Sequence, residues 1–319
     1  MKPSTFARTA TALALASLAT ACVADDPDSA AELGGSEAAI VGGVPAFSRS
    51  LDAVGSINKR RASGRFTQHC TGTLIAPTVV LTAQHCIEAA GPGEAPPSPA
   101  ELQFAIGFDS TAPRRVVPVR GFAAERTIDE GGFVRLGTDV AVLHLAEPVT
   151  DIAPLRVAPF DDGRAGQRFT LLGYGVQDTD DSPSDPFFSK RLAGTHTLRG
   201  PSHGKILELM FGSFENFVSQ LPDLPDFEGV PEADLRDAFD FFSLLDGEEA
   251  VFGGAPGDAD ACHGDSGGPM IKNVGGKLTI FGVTSGGFAS ARQGCGNGAI
   301  FAVFGPASRA FVEREIAAP

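Results

Sequence analysis

The sequence has no tryptophan and a single tyrosine, whereas 24 of its 319 residues are phenylalanine, so phenylalanine must supply almost all of the aromatic packing. Basic residues are also scarce: 25 Lys and Arg stand against 39 Asp and Glu, and the net charge is −14. A surface this acidic repels phosphate backbones, so we expect no nucleic-acid partner. No pair of histidines has the spacing of metal ligands. We expect no cofactor and no metal, although the sequence leaves calcium in an acidic loop open.

Long apolar runs and simple repeats are missing as well. No stretch reaches the roughly 18–20 apolar residues that a membrane-spanning helix needs. Heptad and collagen-like repeats are absent, which excludes a fibre, and 43% hydrophobic residues exclude a disordered polymer. The 39 glycines and 23 prolines favour many short elements joined by tight turns, as in all-β proteins.

The first residues have the pattern of a secretory signal. Lys2 and Arg8 precede an apolar run over residues 10–19, and small residues lead up to Cys22. We predict a signal peptide over residues 1–21 and a leader, or propeptide, over residues 22–39. The protein is therefore expected to be secreted or to lie in the cell envelope.

The cysteine count is consistent with export. Exported proteins usually pair their thiols, so one of five cysteines is left over. We assign the spare thiol to Cys22, which stands where a bacterial lipoprotein signal has its lipid-bearing cysteine. Membrane contact is then expected only through that lipid. The alternative is ordinary cleavage after Ala21 or Ala24, with Cys22 incidental. The other four cysteines are Cys70, Cys86, Cys262 and Cys295.

Residues 200–250 differ from the rest of the chain. Residues 201–250 contain twelve Asp and Glu, but only Lys205 and Arg236 as basic residues. Apolar residues recur there at helical intervals, so we predict an acidic, partly helical insertion. The tail over residues 308–316 is typical of a closing amphipathic helix. Short strands are predicted over residues 73–75, 79–81, 140–145, 169–172, 278–283 and 299–304.

Three segments contain residues suited to catalysis. Residues 264–269 (GDSGGP) surround Ser266 with glycines, whose backbone can turn amide N–H groups toward a carbonyl oxygen. Glycine-rich turns are common, but these six residues together have a random frequency on the order of 10⁻⁷. Residues 81–86 end a strand at His85, and residues 138–143 place Asp139 at the head of an apolar strand, where a carboxylate needs a partner. A lone histidine is more often structural, and Asp139 alone is equally well explained as a strand-end cap.

Together these segments resemble the trypsin-like (chymotrypsin-fold) serine endopeptidases of the secreted bacterial type. The family's chain order of histidine, aspartate and serine is met by His85, Asp139 and Ser266. The resemblance implies that Ser266 is the nucleophile, that His85 is the general base and then the general acid, and that Asp139 orients His85. It also implies an oxyanion hole made by the backbone N–H groups of Gly264 and Ser266.

The same resemblance implies the fold and the disulfides. We expect an all-β protein of two antiparallel six-stranded β-barrels packed together, over residues 40–153 and 154–319, with the catalytic groups in the cleft between them. The C-terminal helix and the acidic insertion complete the fold. Disulfides are implied between Cys70 and Cys86 and between Cys262 and Cys295, each stabilising the fold by about 3–4 kcal/mol.

Residues 40–43 (IVGG) match the mature N-terminus of the family. Cleavage between Ala39 and Ile40 would create an ammonium group that pairs with Asp265. A buried carboxylate without that partner would keep the precursor inactive, as a zymogen. Because Ala39 is neither Arg nor Lys, we expect a separate activating protease.

Substrate preference depends on Asp260, which stands six residues before the proposed nucleophile. Trypsin-like members have an aspartate there at the base of the primary pocket, which implies cleavage of protein or peptide substrates after Arg or Lys. Gly286 and Gly298 would form the pocket walls, and Thr284 would hydrogen-bond the catalytic aspartate, as a serine does in the family. The alternative is that Asp260 is one more charge in an acidic loop.

Two other functions fit the sequence less well. A catalytically idle binding module on the protease fold, at the cell envelope, usually has lost one catalytic residue, and all three are present here. An esterase of the α/β-hydrolase type has a strand–elbow–helix motif and a different order of the triad. We therefore predict a serine endopeptidase that acts through an acyl-enzyme.

Overall fold

The computed structural model describes residues 40–318, apart from residues 41, 90–94, 126–127, 131–132, 136–137, 162–164, 177–188, 222–228, 288–294 and 296–297. The predicted signal peptide, the leader, Cys22 and Ala39 lie outside the described residues. The strands are β1 (Val44–Pro45), β2 (Val54–Arg60), β3 (Phe66–Ala76), β4 (Val79–Thr82), β5 (Leu102–Ile106), β6 (Arg115–Ala124), β7 (Ile128–Glu130), β8 (Phe133–Arg135), β9 (Ala141–Leu145), β10 (Arg156–Val157), β11 (Arg168–Gly173), β12 (Leu192–Thr197), β13 (Glu249–Phe252), β14 (Pro269–Val274), β15 (Lys277–Gly287) and β16 (Ala299–Val303). The α-helices are α1 (Ile206–Phe211), α2 (Phe214–Gln220), α3 (Glu232–Phe241) and α4 (Pro306–Ala317), and short 3-10 helices cover Arg49–Leu51, Gln84–Ile87 and Pro99–Glu101.

The first six-stranded barrel is closed, in the order β2-β3-β4-β9-β6-β5, with every pair antiparallel. On β9, Ala141, Leu143 and Leu145 point into the barrel, whereas Val140 and Val142 point toward the other half of the molecule. Most of this strand is therefore buried on both faces, which explains why its sequence is apolar apart from His144, whose Nε2 lies 3.2 Å from Glu315 Oε2.

The second barrel is formed by β12, β11, β14, β15, β16 and β13, in that order. A single bridge between Leu198 and Phe252 closes the ring, and the N–H of Gly253 donates to the Thr197 carbonyl beside it. The predicted second six-stranded barrel is therefore confirmed. Two short strands that the sequence did not predict extend it, β1 against β12 and β10 in parallel with β15.

An apolar layer joins the two barrels. Leu81 and Val142 from the first barrel pack in one cluster with Leu172 and Val283 from the second. Helix α4 covers this layer with Phe311 and Val312, as the predicted amphipathic tail required. The segments that contain His85 and Ser266 border this layer. The packing of the layer therefore sets the distance between the two halves of the site.

The acidic insertion folds as predicted into short helices, α1 to α3, with a core of its own. The core contains Phe211, Phe217 and Phe239, and it rests on Val251 of β13 and Ile300 of β16. The insertion is thus packed onto the second barrel. None of the helices in the described part of the chain is long and apolar enough to cross a membrane. The boundary between the barrels at residues 153 and 154 stays a prediction.

Candidate active site

His85 and Asp139 are brought together by neighbouring strands. His85 lies in the 3-10 helix that follows β4, Asp139 lies just before β9, and β4 pairs with β9 up to Thr82 opposite Ala141. The backbone N–H of His85 donates to Asp139 Oδ1 at 2.9 Å. Its ring Nδ1 lies 2.7 Å from Asp139 Oδ2. The side chain of Asp139 is only 4% exposed, whereas that of His85 is 36% exposed, so the imidazole faces solvent while its partner is buried.

A third hydrogen bond to Asp139 comes from Ser285, not from Thr284. The hydroxyl of Ser285 donates to Asp139 Oδ2 at 2.7 Å, whereas the hydroxyl of Thr284 donates to the Gly268 carbonyl at 3.2 Å. The prediction for Thr284 is therefore wrong. The cause is a β-bulge between Thr284 and Gly286, which shifts the register against β16 and turns Ser285 toward the aspartate.

The surroundings of His85 raise the pKa of its imidazole. Burial alone would lower this pKa, because it disfavours the charged ring. The hydrogen bond and the negative charge of Asp139 outweigh the burial, and the charge of Glu88 adds to them. An imidazole with this environment can accept a proton and hold it next to a carboxylate.

The segment that contains Ser266 packs against the segment that contains His85. The Ser266 carbonyl accepts a hydrogen bond from the Thr71 N–H at 2.9 Å, and it lies 3.8 Å from the sulfur of Cys86, the residue after His85. Gly267 has a φ of +78°, and a Cβ there would overlap the hydroxyl of Thr82. Only glycine permits this approach, so the sequence after Ser266 is what lets the two segments touch.

The oxyanion donors predicted at Gly264 and Ser266 lie on a fixed loop. The Gly264 carbonyl accepts hydrogen bonds from Gln68 Nε2 at 3.0 Å and from the Thr71 hydroxyl at 2.9 Å. Within the described part of the chain, the backbone N–H groups of Gly264 and Ser266 donate to no protein acceptor. Two unengaged N–H groups on an immobilised loop are what binding of a carbonyl oxygen requires.

Asp265 is fully buried beneath this loop. Its carboxylate accepts the N–H of Gly175 at 2.8 Å and the N–H of Cys262 at 2.9 Å. Burial raises the pKa of Asp265 to about 7, and these two hydrogen bonds reduce the rise. Ile40 is also fully buried, in the second-barrel core, with a φ of +56° that a β-branched residue rarely adopts.

Two of the predicted pocket residues, Asp260 and Gly298, lie together next to the end of β13. Asp260 is buried and accepts the backbone N–H groups of Gly254 and Gly298, and its Oδ1 has no hydrogen-bond partner in the described residues. Burial raises the pKa of Asp260 to about 6, and the charge of Asp258 contributes to the rise. Gly298 has a φ of +94° and leaves no space for a Cβ next to the β13 backbone. Gly286 lies on β15, opposite Ile300.

Both implied disulfides are formed. Cys70 joins Cys86 beside the histidine, with Cα atoms 6.2 Å apart, and Cys262 joins Cys295 beside the serine loop, with Cα atoms 5.3 Å apart. Because their sulfurs are bonded to each other, Cys70 and Cys86 are not metal ligands, although they lie close to His85.

Sequence reasoning missed three residues that hold the site: Gln68, Thr71 and Ser285. Their roles depend on contacts between segments that are distant in the chain, and no short motif contains them. The only local signal was position. Thr71 follows a cysteine of the predicted disulfide, and Ser285 stands next to Thr284, the hydroxyl residue predicted to bind the aspartate.

Comparison with known proteins agrees with this geometry. The family model described as Trypsin matches residues 40–197 and 245–310, which is more than half of the chain. The chain therefore belongs to the trypsin family and is a trypsin-like serine protease by descent. The unmatched residues 198–244 contain the helices of the acidic insertion.

Individual relatives are distant but cover most of the chain. Trypsin from Saccharopolyspora erythraea is 27% identical over 229 residues, covering 71% of this chain and 79% of that protein. A trypsin-like protease from Streptomyces glaucescens is 26% identical over 286 residues, covering 89% and 83% respectively. Tissue-type plasminogen activator from Bos taurus is 26% identical over 252 residues, or 74% of this chain. The chain spans only about 37% of that activator's length. The two bacterial relatives are consistent with the bacterial type of the family.

Proposed function

We propose that the chain is a serine endopeptidase that hydrolyses peptide bonds after Arg or Lys through an acyl-enzyme on Ser266. The observation that carries the proposal is the contact of two segments. A histidine doubly bonded to a buried aspartate lies on one of them, and the Ser266 loop on the other packs against it.

The proposed chemistry follows from the protonation of His85. Because Nδ1 donates to Asp139, the neutral ring has its basic lone pair on Nε2, which takes the proton of the Ser266 hydroxyl as the oxygen attacks the peptide carbonyl. The N–H groups of Gly264 and Ser266 stabilise the oxyanion. His85 then protonates the leaving amine, and water releases the acyl group by the same steps.

The proposed preference for Arg or Lys is supported by Asp260. A buried carboxylate oxygen that has no partner among the described residues favours a cationic side chain that supplies the missing donor. A bound cation also favours the ionised carboxylate, although burial raises the pKa of Asp260 to about 6. Gly286 and Gly298 remain the proposed walls of this pocket.

Activation is proposed to follow cleavage between Ala39 and Ile40 by a separate protease. In the continuous chain, the nitrogen of Ile40 is a neutral amide and Asp265 is bonded only to backbone N–H groups among the described residues. A new ammonium group at Ile40 would supply the cation that this buried carboxylate lacks. Cleavage would also remove the strained φ torsion of Ile40.

The proposed setting is outside the cytoplasm. Export by residues 1–21 would allow the two observed disulfides to form, and lipid on Cys22 would retain the enzyme at the cell envelope. The proposed partners are protein or peptide substrates and the activating protease.

The direct test is a peptide library cut by protein whose chain begins at a free Ile40. We expect cleavage after Arg and Lys, loss of all cleavage in Ser266→Ala, and loss of the Arg/Lys preference in Asp260→Ser. Asp258→Asn is the matched control, because Asp258 is a neighbouring acid that accepts the Thr197 N–H and hydroxyl. If Asp260→Ser keeps the preference, or if Asp258→Asn loses it equally, the assignment of Asp260 is wrong. If no cleavage depends on Ser266, the chain is not a serine endopeptidase, and the alternative of a non-catalytic binding module stands.

A further inference from the structure

Thr71 is a fully buried residue of β3 whose polar groups all bind other segments. Its N–H donates to the Ser266 carbonyl at 2.9 Å, and its hydroxyl donates to the Gly264 carbonyl at 2.9 Å. The hydroxyl oxygen also accepts the N–H of Tyr174 at 3.1 Å. The Thr71 carbonyl accepts the hydroxyl of Thr82 at 2.9 Å. One side chain and its peptide groups thus contact four separate points around the site.

Two of these contacts immobilise the oxyanion loop. The peptide plane between Gly264 and Asp265 is held on both edges. Its carbonyl accepts hydrogen bonds from Thr71 and Gln68. Its N–H, that of Asp265, donates to the Cys262 carbonyl. The peptide plane between Ser266 and Gly267 is held in the same way. Its carbonyl accepts the Thr71 N–H, and its N–H donates to the Thr284 carbonyl. The peptide plane that contains the Ser266 N–H lies between these two planes, and its carbonyl edge, at Asp265, accepts the Gly268 N–H at 2.7 Å. Because each peptide unit is planar, a plane held at its own carbonyl edge and between two fixed neighbours leaves its N–H little freedom to turn.

The other two contacts connect this loop to the rest of the machinery. Thr82 lies three residues before His85, so its bond to Thr71 joins the histidine segment to the serine segment. Tyr174 precedes Gly175, whose N–H binds Asp265, and the buried Tyr174 hydroxyl donates to the Gly107 carbonyl. Thr71 therefore lies where the histidine segment, the oxyanion loop and the surroundings of Asp265 meet, with its carbonyl bound to the first and its hydroxyl to the other two.

We propose that Thr71 is a positioning residue that locks the oxyanion loop of the second barrel against the first barrel, which contains His85. The inference rests on the proposed function, since the loop matters only if Ser266 is the nucleophile. Thr71 does not touch the reacting atoms. It acts through the peptide groups of Gly264 and Ser266, so its loss should affect the transition state more than the binding of substrate.

The test compares Thr71→Val, which removes the hydroxyl at nearly constant shape, with Thr71→Ser, which keeps it. The matched control is Thr73→Val, because Thr73 is a buried threonine on the same strand whose hydroxyl has no hydrogen-bond partner in the described residues. For Thr71→Val we expect kcat to fall about 30-fold with KM within about twofold of wild type. Thr71→Ser should retain kcat within about threefold, and Thr73→Val within about twofold.

Two further readouts separate positioning from general damage to the fold. A peptide boronic acid, which mimics the tetrahedral intermediate, should bind Thr71→Val about 30-fold more weakly, whereas benzamidine should bind equally well. Amide hydrogen exchange over residues 264–268 should accelerate in Thr71→Val and not in Thr73→Val. Equal kcat and boronic acid affinity in wild type and Thr71→Val would overturn the proposal.

A second variant covers the case in which Thr71→Val does not fold. Gln68 is only partly buried and donates its Nε2 to the Gly264 carbonyl, so Gln68→Met loosens the same peptide plane from the surface side. We expect a fall in kcat of about threefold to tenfold with KM unchanged, and an unchanged kcat would then count against the proposal. Failure of the proposed function would look different from failure of the Thr71 proposal, because the wild-type protein itself would then show no activity that depends on Ser266.

Discussion

At the scale of single residues, the buried carboxylate of Asp139 determines how His85 can act. It accepts three hydrogen bonds, two from His85 and one from Ser285, so both of its oxygens are engaged. The carboxylate cannot rotate away from the ring, and the proton of the neutral imidazole stays on Nδ1. The other ring nitrogen is then the base. This arrangement is also what raises the pKa of His85.

The pH dependence of catalysis follows from that raised pKa. Only the neutral imidazole accepts a proton, so kcat/KM should fall with decreasing pH, with a midpoint above 6.5, the ordinary value for histidine. Glu88→Gln removes one negative charge that raises the pKa of His85, so it should move this midpoint to lower pH. The measurement is a pH profile of kcat/KM on an arginine ester substrate. A midpoint below 6.5 in the wild-type enzyme would contradict the assignment of His85 as the base.

The hydroxyl that supports the aspartate can be identified with a pair of variants. Ser285→Ala removes a hydrogen bond to the Asp139 carboxylate, and we expect kcat/KM to fall about tenfold, since bonds to charged groups contribute about 1.5–3 kcal/mol. Thr284→Val removes only a bond to the Gly268 carbonyl and should change kcat/KM by less than about threefold. The opposite order of effects would restore Thr284 as the supporting residue.

At the scale of elements, alternation within strands explains what the sequence could and could not predict. The strands β4 and β9 are buried on both faces, so their apolar runs were recognisable, and His85 and Asp139 could be placed at their ends. The bulge in β15 has no comparable signal, because a one-residue shift depends on the pairing with β16. Likewise, Gln68 and Thr71 act across the interface between the barrels, and such contacts depend on how the barrels pack.

Strand β12 contains a buried histidine that should limit stability in acid. His196 stacks on Phe252 and meets Phe301 edge to face inside the second barrel, and burial lowers its pKa to about 3. Between pH 6.5 and 3 the imidazole is therefore protonated in the unfolded chain but neutral in the folded chain, so the free energy of unfolding falls as the pH drops through this range. In the Ser266→Ala background, His196→Phe should remove about 1–3 kcal/mol of this loss between pH 6.5 and 4.5.

The measurement for His196 is the free energy of unfolding by denaturant at the two pH values. His203→Ala, at an exposed histidine, serves as the control and should leave the pH dependence unchanged. If His196→Phe has the same acid dependence as its parent, the imidazole is not what destabilises the barrel in acid.

At the scale of the whole molecule, activation should change how stability depends on pH. In the continuous chain the pKa of Asp265 is raised to about 7, above its ordinary value of 3.8, so the folded state holds an extra proton between these two pH values and loses stability as the pH rises from 3.8 to about 7. We expect a loss of about 2–3 kcal/mol between pH 5 and 7 from this group. Cleavage at Ile40 should abolish the loss, because the new ammonium group stabilises the ionised carboxylate.

This prediction is checked by unfolding the Ser266→Ala protein, uncut and cut between Ala39 and Ile40, at pH 5 and pH 7. Asp265→Asn in the uncut protein should remove the same part of the pH dependence as cleavage does, and the part due to Asp260, whose pKa is also raised, should remain. An identical pH dependence in the cut and uncut proteins would mean that Ile40 and Asp265 do not form an ion pair.

The central claim is that the hydroxyl of Ser266, activated by His85, attacks the carbonyl of the substrate. The most direct measurement is the intact mass of the protein during turnover of a slowly deacylating arginine ester, followed by peptide mapping. Protein that begins at Ile40 should gain one acyl group, located on Ser266, and His85→Ala should gain none on the same timescale. Hydrolysis without an acyl group on Ser266, or acylation that is equally fast without His85, would contradict the account.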